Sequence, residues 1–237
     1  MRSLLFNLWF WTWTTLAALA MLPFAAFVSA GQMRRYAAFW MRGVHAGLAL
    51  LVGLRHRVEG LEHLPKGPCI IASKHQSAFE TLTFHTLRPD LVIGLKEELT
   101  HIPVFGWYLR IARNITIDRG GAARAMRSLM HGAETAVADG VSILLFPEGH
   151  RQPPGAPPDY KPGIAAVYKA AGVPVVPVAL DSGRFWPRRS FVKRPGVITL
   201  RFLEPIPPGL DRQAFMRLLE ERTESACNEL LRAPPQA

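Results

Sequence analysis

Residues 69–80, Cys-Ile-Ile-Ala-Ser-Lys-His-Gln-Ser-Ala-Phe-Glu, contain the transition on which the predicted fold depends. The apolar run at residues 69–72 predicts a short buried strand that ends in a polar break. Ser77, with Glu80 three residues later, predicts the start of a helix. His75 therefore lies where a strand ends and a helix begins, and in α/β folds ligands bind at that edge of the sheet.

His75 and Glu80 are candidate catalytic residues because they are five residues apart across the predicted turn. A neutral imidazole can take a proton from a hydroxyl group if a carboxylate holds its other nitrogen. The same spacing fits a capping box, in which Glu80 only caps the helix and His75 is a polar loop residue. The residues alone leave both interpretations open.

Beyond residue 54 the sequence pattern is typical of an α/β domain. Apolar runs predict strands near residues 57–59, 69–72, 91–95, 114–117, 142–146, 175–180 and 197–202. Helical patterns lie between them, near residues 78–87, 104–112, 122–138, 164–171 and 212–231. Strands that alternate with helices predict a mostly parallel or mixed sheet covered by helices.

The N-terminal segment is strongly apolar. Residues 4–30 contain no charged side chain and include three tryptophans, and a second apolar segment at 36–54 is interrupted by Arg42 and His45. The first run is long enough to cross a bilayer and too long for the usual core of a signal peptide. One span, two spans and a hairpin lying in one leaflet all remain open.

We accordingly divide the chain into membrane-associated N-terminal helices at residues 1–54 and a second domain at 55–237. The whole chain has a net charge of +10, from 28 basic and 18 acidic residues, which favours anionic partners. Residues 184–194 combine five cations with three aromatic rings. This stretch fits a nucleic acid or a membrane surface, and the apolar N-terminus favours the membrane. We therefore expect no nucleic-acid partner.

Two cysteines, Cys69 and Cys227, lie in predicted secondary structure far apart in the sequence. Neither has a second cysteine at the spacing of a zinc site, and nothing indicates a disulfide framework. We therefore expect the protein to lie in a reducing compartment and to have no metal site.

Four further segments extend the pattern around His75. These are Lys-Glu-Glu-Leu at 96–99 followed by Pro103 and Gly106, Ile-Asp-Arg at 117–119, Phe-Pro-Glu-Gly-His-Arg at 146–151, and Val-Pro-Val-Val-Pro-Val at 173–178. Together with the His75 segment they resemble the four ordered motifs of the 1-acylglycerol-3-phosphate acyltransferase family. The resemblance covers about half of the chain, and four motifs in order are far more specific than one.

The resemblance implies a role for each motif residue. It implies that His75 is the general base and that Glu80 orients the His75 ring. The acceptor-binding residues that it implies are Lys96, Arg119, Glu148, Gly149 and Arg151, and the acyl-donor-binding residues are Pro174 and Pro177. Because proline cannot donate to a sheet ladder, the strand at 175–180 is predicted to be an edge strand or to bend around an acyl chain.

Two positions depart from the family pattern. Glu80 stands where the family usually has Asp, which keeps the charge and adds a methylene. His150 stands where the family usually has Thr, and this puts the choice of acceptor in question more than the reaction.

The implied activity is transfer of a fatty acyl group from acyl-CoA or acyl-carrier protein to the sn-2 hydroxyl of 1-acylglycerol-3-phosphate, giving phosphatidic acid. No cofactor beyond the thioester co-substrate and no metal are implied. The implied location is the cell membrane, with the active site on the cytoplasmic side and an N-terminal helical pair that docks on the bilayer. The alternatives are a different acceptor, such as a lyso-aminolipid, and a non-catalytic lipid-binding protein. A lipid hydrolase with a G-x-S-x-G nucleophile is excluded because the chain lacks that motif.

Overall fold

A computed structural model of the protein describes residues 1–117 and 121–234, and within them seven strands form one sheet. The strands are β1 Leu54–Glu59, β2 Ile70–Ser73, β3 Leu91–Lys96, β4 Ile115–Ile117, β5 Ser142–Leu145, β6 Val175–Leu180 and β7 Gly196–Phe202. Their order is β1-β7-β6-β2-β5-β3-β4. β6 and β7 are antiparallel and the other neighbouring strands are parallel. The predicted mixed sheet is confirmed.

Helices cover both faces of this sheet. They are α1 Arg2–Met21, α2 Ala30–Gly47, α3 Phe84–Leu87, α4 Phe105–Ile111, α5 Ala122–Ala138, α6 Gly163–Ala171 and α7 Arg212–Arg232. Short 3₁₀ turns lie at Leu22–Phe24, Leu61–His63, Glu80–Leu82, Glu97–His101 and Ser182–Arg184, and a π-helical turn at Leu48–Val52 follows α2.

Alternate side chains of the strands supply two separate apolar clusters. Ile71 belongs to the cluster that includes Phe6 of α1 and Val44 of α2, whereas Ile70 belongs to the cluster formed with α5, α6 and α7. Both isoleucines are almost fully buried. The alternation follows from the two-residue period of a strand and explains why β2 is apolar throughout.

The helix predicted for residues 78–87 is wrong in its first half. A 3₁₀ turn at Glu80–Leu82 precedes the four-residue helix α3, and Thr83 has a φ of −119° between them. Only half of the expected capping box forms: the Ser77 N–H donates to the Glu80 carboxylate, but the Ser77 hydroxyl accepts from the Phe79 N–H and not from that of Glu80. The Glu80 carboxylate instead accepts hydrogen bonds from the loop before the turn, and these tertiary contacts override the helical pattern.

The edge position predicted for the proline-containing strand is also wrong. β6 lies between β7 and β2. Pro177 is tolerated there because the ladder toward β7 is interrupted at this point: its carbonyl accepts from the Leu203 N–H at 2.9 Å, and regular antiparallel pairing begins at Val178. The missing proline N–H therefore falls where the antiparallel ladder is broken.

The N-terminal pair of helices is held together by its aromatic residues. The indole N–H of Trp9 donates to the Gly43 carbonyl at 3.1 Å, and that of Trp13 donates to the Trp40 carbonyl at 2.8 Å. A Cβ at Gly43 would collide with the Trp13 ring. Trp9 and Trp13 thus pack α1 against α2, although Trp9 is still 37% exposed, and Trp11 is 67% exposed.

Candidate active site

His75 lies in the loop that follows β2, and the strands on both sides of β2 end beside it. β5 is followed by Phe146 and β6 by the turn that contains Ser182. The His75 and Phe146 rings are stacked, with centroids 4.0 Å apart and planes inclined by 19°. The side chain of His75 is 11% exposed. The parallel strands therefore place the imidazole at the carboxyl edge of the sheet, as the sequence pattern predicted.

The Glu80 carboxylate fixes the orientation of this imidazole. One of its oxygens accepts from Nδ1 of His75 at 2.9 Å and from the backbone N–H groups of Gln76 and Ser77 at 2.7 and 2.6 Å. The other oxygen accepts from the Ser182 hydroxyl at 2.8 Å. A carboxylate acceptor requires the ring proton on Nδ1, so Nε2 keeps its lone pair. Glu80 therefore combines the two contacts considered from the sequence: it caps the backbone of the turn and it orients the His75 ring.

A buried network of charges supports the same loop from behind. The Lys74 ammonium lies 2.8 Å from the Glu148 carboxylate and 2.7 Å from that of Glu224, and Glu148 accepts from the His75 N–H at 3.2 Å. Burial would lower the pKa of Lys74, but its hydrogen bonds to the two carboxylates outweigh this and raise it. Lys74 therefore stays charged, and Glu148 positions the backbone of His75.

His75 opens onto a cavity of about 900 Å³ whose inner walls are mainly apolar. The walls come from α1, α2, the turn at Glu80–Leu82, β3, α4 and α5. Their contributing residues include Ala18, Met33, Tyr36, Trp40, Met41, Leu82, Ile93, Leu95, Tyr108, Leu109, Met126 and Leu129. We call the cationic residues of this lining, with Gly149 and His150 beside Arg151, the mouth of the cavity. The mouth is lined by Lys96, Gly149, His150, Arg151, Lys161, Arg188 and Arg189.

The structure brings some of the predicted site residues together. Lys96, Gly149 and Arg151 line the same cavity as His75. Gly149 has a φ of +68°, a conformation that favours glycine, in the turn that lines this cavity.

Other predicted site residues lie elsewhere. The Glu148 side chain is fully buried and does not line the cavity. Pro174, which directly precedes β6, and Pro177, which lies within β6, do not line it either. Arg119 falls outside the described residues. The ligand contacts predicted for these four residues stay predictions.

Sequence reasoning missed two groups of residues at this site. Ser182 is 102 residues from Glu80, and only its place directly after the strand predicted at 175–180 could have indicated it. Arg188 and Arg189 were predicted to lie in a membrane-facing loop, which stays a prediction, and nothing in the sequence indicated that they also line this cavity. In both cases the missing information was which strand ends lie next to each other.

Comparison with known proteins is consistent with this geometry. A family model described as acyltransferase matches residues 55–181, more than half of the chain. The chain belongs to the acyltransferase family. The match begins in β1 and ends at Asp181, so it includes His75 and Glu80 but not Ser182 or the N-terminal helices that line the cavity.

Several relatives of this chain are named as 1-acyl-sn-glycerol-3-phosphate acyltransferases. A protein of Pseudomonas aeruginosa named 1-acyl-sn-glycerol-3-phosphate acyltransferase is 38% identical over 149 residues, which are 63% of this chain and 58% of that protein. A human protein named 1-acyl-sn-glycerol-3-phosphate acyltransferase alpha is 29% identical over 160 residues, covering 66% of this chain and 56% of the relative. The acyltransferase thus matches somewhat more than half the length of these proteins.

The fold has a solved counterpart. The crystal structure of the 1-acyl-sn-glycerophosphate (LPA) acyltransferase PlsC from Thermotoga maritima superposes with a TM-score of 0.79 and covers 99% of each chain. At 24% sequence identity this similarity shows the fold, including the N-terminal helices.

Proposed function

We propose that this acyltransferase moves a fatty acyl group from acyl-CoA or acyl-carrier protein to the sn-2 hydroxyl of 1-acyl-sn-glycerol-3-phosphate, giving phosphatidic acid. One observation carries the proposal: His75, oriented by Glu80, lies on a cavity that is apolar inside and cationic at its mouth. The apolar part suits acyl chains, and the cations suit the phosphate of the acceptor. The names of the relatives support the same substrate.

In the proposed reaction, Nε2 of His75 takes the proton of the acceptor hydroxyl while the oxygen attacks the thioester carbonyl. The tetrahedral intermediate expels the thiolate, which accepts the proton from the imidazolium and leaves as a thiol. Glu80 stabilises the transient imidazolium through Nδ1. Base-assisted attack on a thioester needs no covalent acyl-enzyme, and we propose no metal or cofactor besides the thioester co-substrate.

The proposed acceptor contacts are those of the mouth. Lys96 and Arg151 line it with their charged side chains, and Arg151 is half-buried beside the catalytic loop. Arginine can bind a phosphate with two parallel hydrogen bonds. We propose that Arg119 contributes to the same phosphate site, as the family motif implies, and that Pro174 and Pro177 act on the acyl donor through β6.

The proposed partner is a phospholipid bilayer, with the site on its cytoplasmic side where thioester donors are made. The apolar helix at Arg2–Phe24 is long enough to cross a membrane by length and composition, and many of its large side chains are exposed. An exposed apolar helix beside a lipid-sized cavity supports docking on the surface from which the acceptor is taken.

The test is turnover by purified protein in detergent, with lysophosphatidic acid, a lyso-aminolipid and acyl-CoA, and the products resolved by mass. We expect phosphatidic acid from the wild type and a loss of roughly 10²–10⁴-fold in kcat for His75→Ala, because the general base is removed. Circular dichroism checks that the variant is folded. Near-normal turnover by folded His75→Ala protein would refute the mechanism, and acylation of only the aminolipid would refute the acceptor.

A further inference from the structure

The mouth carries more positive charge than one acceptor phosphate requires. Besides Lys96 and Arg151, the connection between β6 and β7 contributes Arg188 and Arg189, whose side chains are both exposed. Lys161 also lines the mouth, but its ammonium is paired with Asp159 at 2.6 Å. Arg188 and Arg189 have no carboxylate partner among the described residues, so their charge is available to an anionic ligand.

The connection that carries these two arginines is fixed in place. The Lys193 ammonium donates to the Asn7 side chain at 2.6 Å and lies 4.9–5.5 Å from the ring centroids of Trp186, Phe6 and Phe191. Arg188 donates to the Arg151 carbonyl at 3.1 Å. Arg189 has a φ of +58°, which is unfavourable for a residue with a Cβ. A segment held in such a conformation presents its side chains in a defined direction, and strain of this kind concentrates at functional sites.

The phosphates of the two substrates lie at different distances from the reacting atoms. In the acceptor, the phosphate is only a few bonds from the attacking hydroxyl, so its cation must lie close to His75. Of the three arginines at the mouth Arg151 fits this condition best, because it is half-buried and its neighbour Gln152 donates its N–H to the His75 carbonyl at 2.8 Å, whereas Arg188 and Arg189 are exposed. In the donor, a long flexible pantetheine arm separates the thioester from its phosphate, which must bind farther out and nearer to solvent.

We propose that Arg188 and Arg189 bind the phosphate at the end of the donor's pantetheine arm. This phosphate is common to acyl-CoA and to the prosthetic group of an acyl-carrier protein, so the site serves either donor. The inference rests on the proposed function and divides the mouth in two. The half-buried Arg151 holds the acceptor phosphate, and the exposed pair on the β6–β7 connection holds the donor phosphate.

The experiment compares Arg188→Gln, Arg189→Asn and the double variant with the wild type, using the full chain in detergent. Glutamine can still donate to the Arg151 carbonyl, and asparagine tolerates the positive φ, so the loop keeps its shape. For acyl-CoA we expect the donor KM to rise about fivefold in each single variant and about tenfold or more in the double variant. For acyl-pantetheine, which lacks the phosphate, the KM stays at the wild-type value, as does the KM of the acceptor.

Arg194→Gln is the matched control, because Arg194 is an exposed arginine on the same connection that does not line the cavity. It leaves both KM values unchanged. The proposal is overturned if the double variant leaves the KM of acyl-CoA unchanged, raises that of acyl-pantetheine equally, or raises the KM of the acceptor instead.

A binding measurement separates this inference from the proposed activity. Titration calorimetry with CoA itself needs no turnover, and we expect the double variant to bind CoA about tenfold more weakly than the wild type. Equal affinities would overturn the phosphate site even in an active enzyme. Weaker binding in a protein that forms no phosphatidic acid would keep the site and reject the proposed acceptor.

Discussion

Four hydrogen-bond donors converge on the Glu80 carboxylate, and the His75 ring is only one of them. The others are two backbone N–H groups and the Ser182 hydroxyl. The side chain is fully buried, so these donors replace the water that would otherwise solvate the charge. Glu80 therefore stays where it can hold Nδ1, and Ser182 acts as a positioning residue from the neighbouring strand end.

We expect Ser182→Ala to lower kcat about tenfold with little change in either KM, because a hydrogen bond to a buried charge is lost while the substrate contacts remain. Steady-state kinetics with both substrates varied measures this. Ser142→Ala is the matched control, since Ser142 is equally buried and its hydroxyl accepts from the Cys69 N–H. A similar fall in kcat for both variants would mean that Ser182 supports only the fold.

The sequence identified His75 and Glu80 because a motif spacing is local. The role of Glu148 was not visible in the same way. Its carboxylate faces Lys74 and the His75 N–H inside the protein, although its neighbours Gly149 and Arg151 line the cavity. A motif gives residue types in order, but the direction of each side chain depends on the turn that carries them.

At the scale of elements, α2 and β1 contact the turn at Glu80–Leu82 through two histidines. His45 of α2 and His56 of β1 are 4.7 Å apart between ring centroids, and both pack on Phe79, the residue before Glu80. Burial, together with the charge that His56 would carry, lowers the pKa of His45 to about 3. Burial also lowers the pKa of His56. The folded state therefore favours the neutral form of both rings.

We expect the free energy of unfolding to fall as the pH is lowered from about 6.5 toward 3. In this window the unfolded chain protonates His45 and the folded chain does not, which costs up to ~1.4 kcal/mol per pH unit. Urea unfolding at pH 6.5, 5.5 and 4.5 measures the slope, and His45→Phe should make it shallower because one titrating ring is removed. An identical slope in both proteins would contradict the neutral state assigned to His45.

Strands were easier to predict than the turns between them. β2, β5 and β6 are short apolar runs that are buried on both faces, and their composition is enough to identify them. The interrupted ladder at Pro177 and the 3₁₀ turn at Glu80 depend on partners far away in the sequence. No local pattern contains that information. The sequence therefore predicted a longer helix, and for β6 an edge strand or a strand that bends around an acyl chain.

At the scale of the whole molecule, the N-terminal helices belong to the main core. Phe6, Val44, Leu48 and Val52 are buried in the same cluster as Leu200 of β7. The boundary drawn between residues 54 and 55 stays a prediction. β1 does begin at Leu54, but the side chains on both sides of that point share one apolar cluster.

The outer face of α1 remains exposed, and its large apolar side chains recur at helical spacing. Leu8 and Trp11 are 65% and 67% exposed. We expect the double variant Leu8→Ser/Trp11→Ser to bind vesicles of anionic phospholipid about tenfold or more weakly, because apolar surface no longer enters the interface. Sedimentation with vesicles measures the bound fraction. Leu210→Ser, on a residue that is 37% exposed outside the helical pair, is the control. Unchanged binding by the double variant would exclude α1 as the docking surface.

The contact of Lys193 with Ser3 and Asn7 also has a consequence for the order in which the protein assembles. Ser3 exchanges hydrogen bonds with the backbone of Lys193, 190 residues away, and β1 pairs with β7. A chain made from its N-terminus therefore completes α1 long before the residues that anchor it exist. During that interval α1 can pack only against α2, which follows it directly, because the Lys193 anchor has not yet been made. If α1 docks on a bilayer as proposed, it would do so before the sheet closes, and the protein would finish folding at the membrane surface.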